Sequence, residues 1–356
     1  PAQRSSLSLS LPSCSAAGEA LGAALVARPG GIRSLFVSAV LNHSAVPLMR
    51  AVGGLAECEE LRFSGDCEVG LEAVKALAAA LRDPRLGAAA PAGRLGSLSL
   101  SINLGDEDGE DVDEAEAGRA MIALGAAIGA RPPARLELSV DWSSHGMALL
   151  SAMGKAMAEA QKQAQASVPL LTPQPGSSGP AAAAAGVVSA ASGSGGAGCS
   201  PLALPCLAHL KVLTGEEDHD EHDARSLIAA LHQIGAQGLQ ALHVDFFDEN
   251  NSWAPEYLPA ALGGRALREA TLEYEDLGNV GQWLGALRAP LPALEELRLT
   301  YMADDEDEPI GPDPNGHERF VNGVRDARAS GMLPRLRRIT VTPSRYSGVE
   351  AVSYTH

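Results

Sequence analysis

The sequence predicts an α/β solenoid in which about ten short parallel strands line a concave face and helices line the convex one. Three observations predict it: an apolar pair, one residue apart, that recurs along the 356 residues; the polar character of the positions alternating with those pairs; and helix-spaced apolar residues between them.

The pairs are Leu7/Leu9, Leu35/Val37, Leu61/Phe63, Leu98/Leu100, Leu136/Leu138, Leu210/Val212, Leu242/Val244, Ala270/Leu272, Leu297/Leu299 and Ile339/Val341. The choice of pairs leaves their neighbours unconstrained, so the neighbours carry the argument. Of the 30 positions interleaved with or flanking them, only Phe36, Leu213 and Ala241 are apolar, where the chain's 46% average would give about 14. Such alternation means a strand with one face buried and one wet.

Between the pairs, residues 16–26 (Leu21, Leu25, Val26), 69–81 (Leu71, Val74, Leu77, Leu81), 115–128 (Met121, Leu124, Ile128), 148–164 and 223–234 (Leu227, Ile228, Leu231) have helical spacing. Several of these stretches stop at Gly or Pro, as at Pro29-Gly30-Gly31, Pro132-Pro133 and Pro290. The glycines are expected in loops and at helix ends. The shortest strand-to-strand steps, 26 to 28 residues, fit one strand, one helix and two connections, and longer steps require insertions. Each unit has two apolar faces that only stacked neighbours can bury.

Leu294-Glu295-Glu296-Leu297-Arg298-Leu299, Leu239-Gln240-Ala241-Leu242-His243-Val244 and Leu95-Gly96-Ser97-Leu98-Ser99-Leu100 resemble the LxxLxL core of leucine-rich repeats. The long helix-containing unit is similar to the ribonuclease-inhibitor-like subclass, which also occurs in the repeat regions of F-box adaptors. The resemblance implies a horseshoe that binds a protein on its concave face. One departure stands out: of the Asn or Cys usual three residues after that core, only Asn103 is present, with Asp66 and Asp141 as approximate substitutes.

The expected organisation is an N-terminal part of the solenoid over 1–165, a disordered low-complexity insertion over 166–203, the C-terminal part of the same solenoid over 204–343, and a loose tail over 344–356. The insertion is rich in Ala, Gly, Ser and Pro and nearly devoid of charge, so it cannot repay the entropy of ordering. A two-domain division at this tract is the alternative. The chain begins at Pro1 with neither a methionine nor a signal-like segment, which reads as a fragment or a processed product and leaves room for an N-terminal module, such as an F-box, upstream.

A formal charge of −17 argues against a nucleic-acid partner, and no apolar run reaches membrane-spanning length. Five cysteines without a CxxC pair read as reduced thiols of a cytoplasmic or nuclear protein. Catalytic motifs are missing: no G-x-S-x-G, no H-E-x-x-H, no phosphate loop and no dinucleotide fingerprint. The chain therefore reads as a non-catalytic interaction module without a cofactor.

The acids are clustered. Windows 104–116, 216–223, 245–249, 273–276 and 304–313 hold 26 of the 44 and contain no Lys or Arg, which leaves the remainder net positive. Every window follows or completes a strand, so stacking should gather them on one edge, a docking rim for a basic protein partner. Simple solvation of charged loops is the competing reading. The candidate partner-binding residues are Asp106, Asp108, Asp111, Glu216, Glu217, Asp220, Asp245, Glu273, Glu275, Asp304, Asp305 and Glu306, with the aromatics Trp142 and Phe247, whose parity is outward. A second function class is the substrate receptor of an F-box ubiquitin ligase. A third is a calcium- or metal-responsive protein, for which His219 and His222 among carboxylates are the best ligands; their spacing lacks the four-ligand pattern of a structural zinc site.

Overall fold

The structure, a computed structural model, describes residues 6–10, 15–27, 31–38, 45–63, 70–102, 113–140, 144–166, 207–213, 226, 229–234, 238–245, 266–274, 277–285, 287, 290–301, 314–343 and 352–355. Ten strands fall at the positions the alternation marks: β1 (Ser6–Ser10), β2 (Ser34–Ser38), β3 (Glu60–Phe63), β4 (Ser97–Ile102), β5 (Arg135–Val140), β6 (His209–Leu213), β7 (Ala241–Asp245), β8 (Glu269–Tyr274), β9 (Glu296–Tyr301) and β10 (Arg338–Pro343). They pair in sequence order, all parallel, in one sheet. The described helices are α1 (Ser15–Ala27), α2 (Val46–Val52), α3 (Leu71–Arg82), α4 (Glu114–Ala130), α5 (Ser144–Ala166), α6 (229–234), α7 (Leu277–Gly285) and α8 (Pro314–Ala329).

This order decides the architecture. Every strand lies beside its predecessor, and crossovers between parallel strands keep one hand, so the helices collect on one face and leave the other open. Burial agrees. From β2 to β9 every inward pair residue is at most 2% exposed, whereas no described residue of the alternating positions is buried. Leu7 and Val341, in the first and tenth strands at the two ends of the parallel run, are only partly buried.

The register is strict. Leu35, Leu61, Leu98, Leu136, Leu210, Leu242, Ala270, Leu297 and Ile339 are successive cross-strand partners. Three residues before each lies a second inward column: Ile32, Cys58, Leu95, Pro133, Leu207, Leu239, Leu267, Leu294 and Leu336, all buried except the half-buried Ile32. Cys58 thus occupies a leucine position. Burial, with the nearby Glu60 and Glu59 charges adding to it, outweighs a hydrogen bond to the Glu60 carbonyl and pushes its thiol up to about 12. β5 pairs with β6 across the 74-residue step, so the insertion interrupts no ladder.

Two findings depart from the sequence reading. Residues 352–355 of the tail form β11 (Val352–Thr355), antiparallel to β10, and close that end of the sheet. The glycines are also not confined to loops and helix ends. Gly125 of α4 lies so close to α5 that a Cβ there would stand 2.1 Å from the Leu149 carbonyl oxygen, and one on Gly323 of α8 would stand 1.9 Å from the Gly281 carbonyl oxygen of α7. These helices meet backbone to backbone, and the missing side chain is what permits it.

Candidate functional site

The open face presents three rows of side chains fixed by the register. The central row runs Ser8, Phe36, Arg62, Ser99, Glu137, Lys211, His243, Thr271, Arg298 and Thr340. Its middle is an ionic ladder spanning β3 to β6. The Lys211 ammonium donates to Glu137 Oε1 at 3.0 Å, and the Ser99 hydroxyl donates to the other carboxylate oxygen at 3.4 Å. Partial burial pushes the Glu137 carboxyl up, but the Lys211 hydrogen bond and charge, the Arg62 charge and the Ser99 hydroxyl together outweigh it and hold the group below its ordinary value. Glu137 and Lys211 each keep 35% of their side-chain surface exposed, so the pair is set in place yet still reachable. Toward the far end, Glu296 takes Arg298 at 2.9 Å and lies 3.8 Å from Arg338.

Because the ten strands are parallel and in register, all of them end on one edge, and each of the five acidic windows follows or completes a strand in the sequence. Of the sequence-predicted site residues, only Asp245 and Glu273 lie within described strands. They are cross-strand partners, with Glu273 next to Thr300 in turn, so the register sets two acidic positions side by side. Asp106, Asp108, Asp111, Trp142, Glu216, Glu217, Asp220, Phe247, Glu275, Asp304, Asp305 and Glu306 lie outside the described residues, as do His219 and His222.

Three acids of the first window have structural roles. The Asp113 carboxylate accepts from the Ala115 amide at 3.0 Å and caps α4, whose first turn carries Glu114 and Glu116. Acids at a helix N-terminus satisfy free amides and oppose the helix dipole. Glu116 also pairs with Lys75 of α3, as does Glu72 at 2.7 Å, and the two carboxylates hold that ammonium above its ordinary value.

No family model matches this chain, and no curated protein does.

The sequence reading missed the opposite edge, where helices end and strands begin. Arg94 donates to the Pro132 carbonyl at 2.6 Å, and Arg82 to the Ala123 carbonyl at 3.1 Å. Arg131 reaches back to the carbonyls of Asp83 at 2.5 Å and Leu86 at 3.2 Å. Asp83, gripped by Arg85, has its carboxyl lowered to about 2. The positive remainder of the charge count was the available signal, and the register places part of it here. Among the described residues no group of three or more His, Cys, Asp and Glu could hold a metal, and no helix is long and apolar enough to cross a membrane.

Proposed function

We propose that the chain is a leucine-rich-repeat protein that binds a protein partner on the open sheet face, with the acidic edge beside it gripping basic groups of that partner. The observation that carries the reading is the open face itself: ten parallel strands whose alternating residues stay accessible wherever they are described, centred on the Arg62–Ser99–Glu137–Lys211 ladder. Two buried columns, at the first and fourth positions of each LxxLxL segment, support the repeat assignment. Adjacent like charges in a sheet are unfavourable unless an opposite charge meets them, and Asp245 beside Glu273 supports a basic partner at that edge.

The test uses affinity capture on the full chain and on two variants. One neutralises Asp304, Asp305, Glu306, Glu216 and Glu217 to Asn or Gln; the other is Glu137→Gln with Lys211→Met on the open face. The expected result is a protein held by the parent chain, lost from the open-face variant, and bound by the edge variant with a flatter salt dependence. Retention by both variants with an unchanged salt slope would remove the assignment. The ubiquitin-ligase receptor reading differs only in what lies upstream, and an F-box in the coding sequence before Pro1 is the observation that would favour it.

A further inference from the structure

The edge opposite the acidic windows carries arginines in a repeating place. Arg94 stands three residues before Ser97, the first residue of β4, and Arg335 stands three residues before Arg338, the first residue of β10. Ser97 and Arg338 occupy the same row of the sheet. Arg335 is therefore the repeat equivalent of Arg94, whose guanidinium is fixed on a main-chain carbonyl of the next repeat. Arg328 lies in the last turn of α8, as Arg82 does in the last turn of α3, from where Arg82 donates to Ala123 of the next repeat.

At β10 the succession of parallel strands stops, because β11 runs antiparallel. Arg328, Arg335 and Arg337 are exposed, and their side chains have no hydrogen bond or ion pair among the described residues. The turn that carries them is held by main-chain hydrogen bonds. Gly331, at φ +74°, ends α8 with its amide on the Arg328 carbonyl at 3.0 Å, and the Met332 amide bonds the Ala327 carbonyl at 2.8 Å. Buried Leu333 and Leu336 anchor the turn, and the Arg337 amide bonds the Glu295 carbonyl at 2.9 Å. Three guanidinium groups, two of them in places whose counterparts hold polypeptide, are thus presented on a hydrogen-bonded backbone.

The geometry points to a docking site at the 328–337 turn for an acidic polypeptide segment of another protein, its carboxylates and main-chain carbonyls taking the place of a further repeat. Charge complementarity and the internal precedent of Arg82 and Arg94 select this occupant. Planar guanidinium groups bind carboxylates in pairs of parallel hydrogen bonds, which lysines cannot reproduce.

The test measures binding of a fluorescein-labelled oligoglutamate peptide to the full chain at low ionic strength. The triple variant R328Q/R335Q/R337Q should lose about tenfold or more in affinity, while the Arg50→Gln/Arg119→Gln variant, altered at exposed arginines elsewhere, should bind like the parent. Because the three side chains are exposed, the triple variant should melt with the parent, which separates lost binding from lost folding. No binding by the parent, or equal binding by the triple variant, overturns the site. Phosphatidylserine vesicles retained by the parent in place of the peptide would assign the turn to a lipid surface and overturn the polypeptide reading. Sedimentation showing concentration-dependent self-association that the triple variant abolishes would assign it to a second copy, with the same consequence.

Discussion

The turn between α3 and β4 and the turn between α8 and β10 are built from the same parts and put them to different use. Each has an arginine near the helix end, one three residues before the strand, glycine at positive φ (Gly87 and Gly93 in one, Gly331 in the other) and buried leucines (Leu86 and Leu95 in one, Leu333 and Leu336 in the other). In the interior turn the arginines reach across to the next repeat, and Arg131 answers from that repeat onto the Asp83 and Leu86 carbonyls. In the terminal turn the arginine side chains have no hydrogen bond or ion pair among the described residues. One side-chain chemistry is therefore an internal fastener in the middle of the array and an accessible anion-binding group at its end.

The largest expected effect comes from the two glycines. A Cβ at Gly87 (φ +67°) would stand 2.5 Å from the backbone of Arg94 and Leu95, whereas one at Gly331 (φ +74°) meets nothing within 4 Å. Gly87→Ala should cost about 3 kcal/mol, strain and overpacking together. Gly331→Ala should cost about 1 kcal/mol, strain alone. Urea unfolding of both variants reads the difference, and equal losses would break the comparison. Next come the arginines. Arg94→Gln and Arg131→Gln each leave carbonyls without a charged donor and should cost about 1–3 kcal/mol. Arg335→Gln should stay within about 0.5 kcal/mol of the parent.

Smaller still is the acid dependence of the Asp83–Arg85 pair. The Asp83 carboxyl has a folded pKa of about 2 against an ordinary 3.8. Its contribution is therefore present above about 3.8 and lost as the pH falls through about 2. Asp83→Asn should lower the melting temperature slightly at pH 5–7, with the gap closing toward pH 2, and high salt should shrink it because Arg85 is 72% exposed. The finest probe is Cys58, beside the interior turn, where the Gly87 amide bonds the Leu55 carbonyl at 3.1 Å. Its buried thiol, at about 12, yields almost no thiolate at neutral pH. Alkylation followed by peptide-resolved mass spectrometry should leave it unlabelled in the parent and label it faster in Arg94→Gln, with no change in Arg335→Gln.

The strands were legible because alternation repeats ten times and a one-residue slip would expose every buried column. Some helices were harder to read. α2 has seven residues, too few to show a period, and α8 buries Gly316, Phe320, Gly323, Val324 and Ala327, a stripe in which two glycines hide the apolar rhythm. Glycine signals a turn in a lone sequence, because only a neighbouring helix shows that the absence of a side chain is what matters. Of the acidic windows, Asp245 beside Glu273 is the part that the register fixes, and most of the others lie outside the described residues. The arginine edge went unread because its members are scattered in sequence and acquire a common place only when Arg94 and Arg335 are aligned on their strands.

The glycine contacts between helices also bear on the shape of the open face. Neighbouring strands sit about 4.8 Å apart, whereas neighbouring helices ordinarily need about 8–10 Å, so wherever a helix follows a strand the array tends to bend like a fan whose outer rim is the longer. Close backbone approach at Gly125 and at Gly281–Gly323 acts in the opposite direction, toward a shorter rim there. A methyl group inserted at either contact would act as a wedge at the back, tightening the bend and altering the spacing of charges across the front without touching a single residue that a partner meets.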